Sequence, residues 1–103
     1  VVAMQCFAVV GTDVAGSGTI EVGTAGNTAG LLPQVSGTAL DAGEIWHDAT
    51  PDAKIELNTV ATVKIVTGSV IYTVATDTLS GGTLTFYIRW APISADGNVV
   101  MVI

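Results

Sequence analysis

Residues 83–90 alternate strictly between two kinds of side chain. Leu84, Phe86, Ile88 and Trp90 fall on one side of an extended chain, while threonine, tyrosine and arginine fall on the other. A period of two indicates a half-buried β-strand. Ser-Gly-Gly precedes this run as a turn signal, and Ala-Pro follows it, where the missing proline N–H ends ladder pairing. Because most of the aromatic residues lie on this strand or just before it, we predict that it forms the densest part of the core.

Similar short runs, separated by Gly, Ser, Asn, Asp and Pro, recur along the whole chain at intervals of about ten residues. They predict an all-β fold, a β-sandwich or jelly-roll-like arrangement of eight or nine short antiparallel strands. We expect one domain over residues 1–103, with part of an N-terminal segment missing before Val1. The predicted strands are residues 1–10, 19–22, 31–35, 44–47, 53–58, 60–67, 70–75, 83–90 and 99–103.

Turn residues predict how these strands connect. Residues 11–13 are expected to turn the chain after the first strand, and the Gly68-Ser69 pair to form a two-residue hairpin between residues 60–67 and 70–75. In the run before that hairpin, Val63 and Ile65 share one face and Lys64 takes the other. Pro33 makes its strand an edge strand, because it cannot donate to a neighbour on both sides.

Composition narrows the classes of partner. The chain carries a net charge of −6 and 12% charged residues, so we expect it to bind neither nucleic acid nor anionic lipid. No apolar run approaches the length of a membrane-spanning helix. The only cysteine, Cys6, lies in an apolar run and is expected to be a buried small hydrophobe.

Residues 23–30 contain three glycines and could be mistaken for a phosphate-binding loop. Neither the lysine nor the helix that such a loop requires follows them, so we reject that function.

The most distinctive stretch is residues 40–52, with four of the acids and the only histidine. Asp41, Glu44, Asp48 and Asp52 could supply the carboxylate pair of a glycosidase or the oxygen ligands of calcium. Acidic side chains also cap turns, and this role accounts for the presence of the same residues with fewer assumptions. His47 lacks further nitrogen or thiolate ligands for zinc, so we expect a structural histidine and no metal or other cofactor.

The two tryptophans could form a platform on which sugars stack. Trp90 lies on the apolar side of its strand, so we expect it in the core. Trp46 has polar neighbours and, with Asp48 and Asp52, is the candidate ligand platform.

Two long stretches carry a family resemblance. LDAGEIWHDATPD at residues 40–52 and GTLTFYIRWAPISADGNV at residues 82–99, together with GTIEVG at residues 18–23, resemble small structural proteins of tailed bacteriophages, of the capsid-decoration or head-fibre type. The resemblance implies an all-β homo-oligomer, often a homotrimer, bound to the major capsid protein or other virion proteins on the capsid exterior.

The sequence therefore predicts a non-enzymatic virion protein that decorates or stabilises a capsid through β-sandwich oligomers. A carbohydrate- or receptor-binding module of a tail or head fibre is the alternative, and a small glycosidase is a third hypothesis. We expect the apolar first strand and the apolar chain end to form subunit contacts. The candidate contact residues are Val1, Val2, Met4, Phe7, Val99, Val100 and Met101.

Overall fold

The computed structural model describes residues 1–51, residue 55 and residues 63–100. The chain folds into two antiparallel sheets that pack together as a β-sandwich, which confirms the predicted fold class. No helix in the described part of the chain is long and apolar enough to cross a bilayer. The strands are β1 (Val2–Ala15), β2 (Thr19–Thr24), β3 (Asn27–Ser36), β4 (Ile45–Trp46), β5 (Lys64–Val66), β6 (Ile71–Ala75) and β7 (Gly81–Pro92), with a 3-10 turn at Gly37–Ala39.

β1 is the central strand of the larger sheet. β7 pairs along one of its edges, while β5 and β4 share the other. Alternate β1 residues from Val2 to Val10 are buried, as a half-buried strand requires. The predicted turn at residues 11–13 is wrong, because β1 continues through it with two register shifts against β7. Such bulges absorb extra residues without ending the ladder.

The smaller sheet has the strand order β3-β2-β6. β3 pairs only with β2 among the described strands, so Pro33 does lie on an edge strand. Between the pairs Ile20↔Val35 and Val22↔Leu32, β3 contains one more residue than β2, and Pro33 lies in that bulge.

The core lies between the sheets, around the inner face of β1. Met4, Ala8 and Val10 belong to one cluster of buried residues with side chains of β2 and β3, such as Leu32. Cys6 is buried in the same cluster, which confirms its predicted role as a small hydrophobe. Full burial of one such aliphatic side chain contributes about 1.5–3 kcal/mol, so β1 supplies much of the stability.

The connection from β5 to β6 crosses from one sheet to the other. β5 pairs with β1 and β6 pairs with β2, so the predicted hairpin at Gly68-Ser69 is wrong. The alternation in β5 is present, but Val63 and Ile65 lie on the outer face and are exposed. Val66 lies on the inner face and is buried. The ammonium of Lys64 donates to the carbonyl oxygen of Gly30, at 2.7 Å, and so ties β5 to β3.

β7 forms where residues 83–90 predict a strand, but it is not the densest part of the core. Its residues Leu84, Phe86, Ile88 and Trp90 lie opposite buried residues of β1, so they share the inner face of the sheet. Leu84 packs against the core, but the smaller sheet leaves Phe86 and Ile88 partly exposed and Trp90 41% exposed. Burial needs an opposing layer as well as an apolar pattern.

Some predicted strands lie partly outside the described residues. These are residues 53–58, of which only residue 55 is described, the beginning of 60–67, and 101–103 of the last strand. Residues 99–100 are described and are not in a strand.

Candidate assembly surface

The sandwich is open along one side, between β6 and β7. β5 lies beside β3 on the opposite side of the molecule, as the bond from Lys64 to Gly30 shows. In the larger sheet, β7 and β5 lie on opposite sides of β1. In the smaller sheet, β6 and β3 lie on opposite sides of β2. Because β5 lies beside β3, β6 and β7 border the same opening. We call the exposed inner-face side chains of these two strands the open side; they are Tyr72, Val74, Phe86, Ile88 and Trp90.

Pairing shows that the open side belongs to the inner faces of the sheets. Tyr72 and Val74 lie opposite the buried residues Val22 and Ile20 of β2. Tyr72 is nevertheless 67% exposed and Phe86 38% exposed. Large apolar side chains that point towards the core but stay in contact with solvent indicate an incomplete cover, because burial of each would contribute about 1.5–3 kcal/mol.

A cleft of about 1020 Å³ enters the sandwich from this side. Met4, Cys6 and Val22 form part of its floor, and Tyr72 and Ile88 line its two lips. Most of the lining residues are apolar, although Thr67, Ser69 and Asn98 also reach the cleft.

Charge is nearly absent from the two strands that border the cleft. Arg89 is the only charged residue in Ile71–Ala75 and Gly81–Pro92, although the chain carries −6 overall. The register places Arg89 opposite Gln5, which lies between inward-facing neighbours and so points to the outer face. The open side is thus an uncharged apolar surface bounded by a polar one, a pattern found where proteins dock.

The loop at residues 76–80 closes one end of the opening. The hydroxyl of Ser17 donates to Asp77 Oδ2 at 2.6 Å, and the amide of Thr78 donates to Asp77 Oδ1 at 2.8 Å. The hydrogen bond from Ser17, followed by that from Thr78, lowers the pKa of Asp77 from its ordinary value of 3.8. This loop ties β6 and β7 to the turn between β1 and β2.

The predicted contact residues fall into different environments. The side chains of Val2 and Met4 are buried in the chain's own core, where both line the cleft. Phe7 is half-buried on the outer face, where its ring stacks on Tyr87 at 5.3 Å between centroids. Val1 is exposed at the mouth of the cleft.

The apolar chain end lies partly at the same opening. Val99 packs against the core and lines the cleft, and Val100 lines the cleft but is 72% exposed. Met101 lies outside the described residues.

The predicted ligand platform at Trp46 does not exist as an exposed surface. Its side chain is fully buried, 6.3 Å from the Phe86 ring by centroid, and its indole Nε1 has no hydrogen-bond partner among the described residues. β4 pairs Trp46 with Ala8, so the strand directs the ring into the core. Asp48 is exposed, with an oxygen 3.7 Å from Nδ1 of His47, and Asp52 lies outside the described residues.

Acidic side chains between residues 40 and 50 hold turns together. Glu44 Oε1 accepts the amide of Asp41 at 2.8 Å, and Asp48 Oδ1 accepts the amide of Thr50 at 2.8 Å. Asp13 of β1 accepts the amide of Ala42 at 2.7 Å and fixes this loop to the sheet. Turn capping is therefore the observed role of these carboxylates. The described residues contain no group of three or more His, Cys, Asp or Glu side chains placed to hold a metal ion.

Burial raises the pKa of the Cys6 thiol to about 11, an effect that the charge of Lys64 partly offsets. The thiol that lines the cleft is therefore protonated at neutral pH and is a poor nucleophile.

Sequence reasoning anticipated unburied apolar surface but assigned it to β1 and the chain end. It missed Tyr72, Phe86 and Ile88. A partial signal was present, because large apolar residues alternate along both runs: Tyr72 and Val74 in one, and Leu84, Phe86, Ile88 and Trp90 in the other. Comparisons with protein-family models, curated proteins and solved structures find no match to this chain.

Proposed function

We propose that this chain is a non-enzymatic structural subunit of a tailed-bacteriophage virion, where oligomers of the β-sandwich decorate or stabilise the capsid from outside. The open side is the observation that carries the assembly part of this proposal. Side chains such as Tyr72 and Trp90 point towards the interior yet remain exposed, so association would bury apolar surface that folding of one chain leaves in water.

The virion part of the proposal rests on the resemblance of residues 18–23, 40–52 and 82–99 to small phage structural proteins. The partners are then further copies of this chain and the major capsid protein or another virion protein. The net charge of −6 disfavours nucleic acid and anionic membranes as partners.

The copy number of the chain in purified virus particles tests this proposal. It is measured by quantitative mass spectrometry with isotope-labelled peptides, against the major shell protein as the internal reference. A copy number comparable with that of the shell subunits supports decoration. Absence of the chain from the particles overturns the proposal.

A carbohydrate- or receptor-binding module of a fibre remains the alternative class. Its predicted platform is lost, because Trp46 is buried and cannot stack on a sugar. A copy number that matches a few tail appendages, far below that of the shell protein, would favour this class over decoration.

A further inference from the structure

We propose that the free edge of β7 pairs antiparallel with the β7 edge of a second copy of this chain, about a twofold axis at Tyr87. This inference deepens the proposed function and rests on it, because it names the partner and the register of the assembly contact.

Within residues 1–51 and 63–100, one edge of β7 has no partner strand. It pairs with β1 through nine consecutive residue pairs, from Val2↔Pro92 to Val10↔Leu84, without a register shift. Among the described strands none pairs with its other edge. Natural edge strands usually carry lysines, prolines or bulges that block further pairing, or are very short. Between Leu84 and Ala91 the only such feature is the charge of Arg89.

The side chains of β7 match those of a second β7 in this register. With Tyr87 on the axis, Phe86 lies opposite Ile88 of the second copy, and Leu84 lies opposite Trp90 of the second copy. Apolar residues therefore meet apolar residues on the inner face, and the inner faces of both copies join into one surface. Cross-strand apolar pairs of this kind stabilise a sheet by about 0.2–1 kcal/mol each.

The same register separates the positive charges. Arg89 lies opposite Thr85 of the second copy, so the two arginines are four residues apart, which is about 13 Å along the strand. That distance exceeds the Debye length of about 8 Å at physiological ionic strength. Repulsion between the arginines therefore does not prevent pairing.

The side chains exposed on β6 and β7 offer a large part of the area that a specific dimer buries. Tyr72, Phe86, Tyr87 and Trp90 are 67%, 38%, 49% and 41% exposed. With about 200 Å² for each aromatic side chain, these four expose roughly 400 Å² in one copy and roughly 800 Å² in two. Exposed aliphatic residues, including Ile71 and Ile88, and the strand backbone bring the total towards the 1,200–2,000 Å² of standard interfaces.

Sedimentation velocity of the whole chain over a range of concentrations tests the contact. We expect a species of twice the 10.4 kDa chain mass. Ile88→Lys should yield a folded monomer, because it places a charge in the apolar part of the contact. Ile65→Lys is the matched control. Ile65 is 71% exposed on β5, which pairs with the edge of β1 opposite to β7, so this variant should remain a dimer. Circular dichroism establishes that both variants are folded.

A cysteine at the twofold axis tests the register. Residues opposite each other in antiparallel strands have Cα atoms about 4.5–5.5 Å apart, within reach of a disulfide. Tyr87→Cys should therefore cross-link two copies on mild oxidation, whereas Thr83→Cys, which would lie opposite Ala91, should not. Equal cross-linking of both variants would overturn this register.

A wild-type chain that stays monomeric, or that forms trimers, would overturn the twofold contact. Neither result bears on the copy number in virus particles, so the contact and the virion role can fail separately. A dimer in solution combined with absence from particles would support the contact and overturn the virion role.

Discussion

Gly16 lies where two loops touch, in the turn between β1 and β2. Its φ of 106° falls in the region that side chains disfavour, and a Cβ at this position would collide with the carbonyl oxygen of Thr78. The glycine therefore allows the loop that joins β6 to β7 to pack against this turn.

We expect Gly16→Ala to lower the free energy of unfolding by about 2–4 kcal/mol, from backbone strain and the collision together. Urea denaturation measures the change. Gly26→Ala is the control, because a Cβ there meets no atom within 4 Å and φ is not positive, so its effect should stay within about 0.5 kcal/mol. Equal losses in the two variants would contradict this account of Gly16.

Asp77 makes stability depend on pH through its bonds to Ser17 and Thr78. The pKa of Asp77 is lower in the folded chain than its ordinary value of 3.8. The ionised carboxylate therefore stabilises the fold at pH values above 3.8. The contribution is lost as the pH falls through the folded-state pKa.

We therefore expect Asp77→Asn to be less stable than the wild type at pH 7, and the difference to shrink as the pH falls below 3.8. Urea midpoints at pH 7, 5 and 3 measure it. Ser17→Ala, which removes the hydroxyl that donates to Asp77, should show the same narrowing. A stability difference that does not change with pH would refute the role of the charge.

β5 shows at the scale of an element how tertiary pairing selects a buried face. An isolated run of Val63, Lys64, Ile65 and Val66 does not reveal which alternate set faces the core. Pairing with β1 and the bond from Lys64 to β3 place Val66 inside and leave Ile65 71% exposed.

Val66→Ala should cost about 1.5–3 kcal/mol of unfolding free energy, because it removes buried methyl groups and leaves a cavity. Ile65→Ala, at the adjacent position, should change stability by less than about 0.5 kcal/mol. Thermal or urea unfolding compares them. A larger loss for Ile65→Ala would mean that β5 faces the other way.

The elements differ in how far sequence determines them. The alternation of residues 83–90 predicts both the strand and the shared face of Phe86, Ile88 and Trp90, because side-chain direction in a strand is local. The hairpin at Gly68-Ser69 was mispredicted, because a short Gly-containing loop permits a hairpin but does not require one. β5 and β6 instead find their partners in β1 and β2.

At the scale of the whole molecule, the two tryptophans report on the core and on the open side. Trp46 is fully buried and Trp90 is 41% exposed in the single chain. In dilute solution, acrylamide should quench Trp90 strongly and Trp46 weakly. At concentrations where copies pair, the quenching of Trp90 should decrease, because the second copy covers the strand.

The variant Trp90→Phe isolates the emission of Trp46. Its acrylamide quenching constant should be severalfold lower than that of the dilute wild type and should not vary with protein concentration. Strong quenching of this variant in its folded state would contradict the burial of Trp46.

The fold class, the edge position of Pro33 and the burial of Cys6 are all predictable from the sequence. Each follows from local chemistry: a two-residue period, a missing N–H, and an apolar run around a thiol. Tertiary structure alone decided that Trp46 is buried, that Trp90 is exposed and that the sandwich is open between β6 and β7. A side-chain pattern specifies which residues share a face, whereas cover over that face depends on pairing between distant strands and on the width of the opposite sheet.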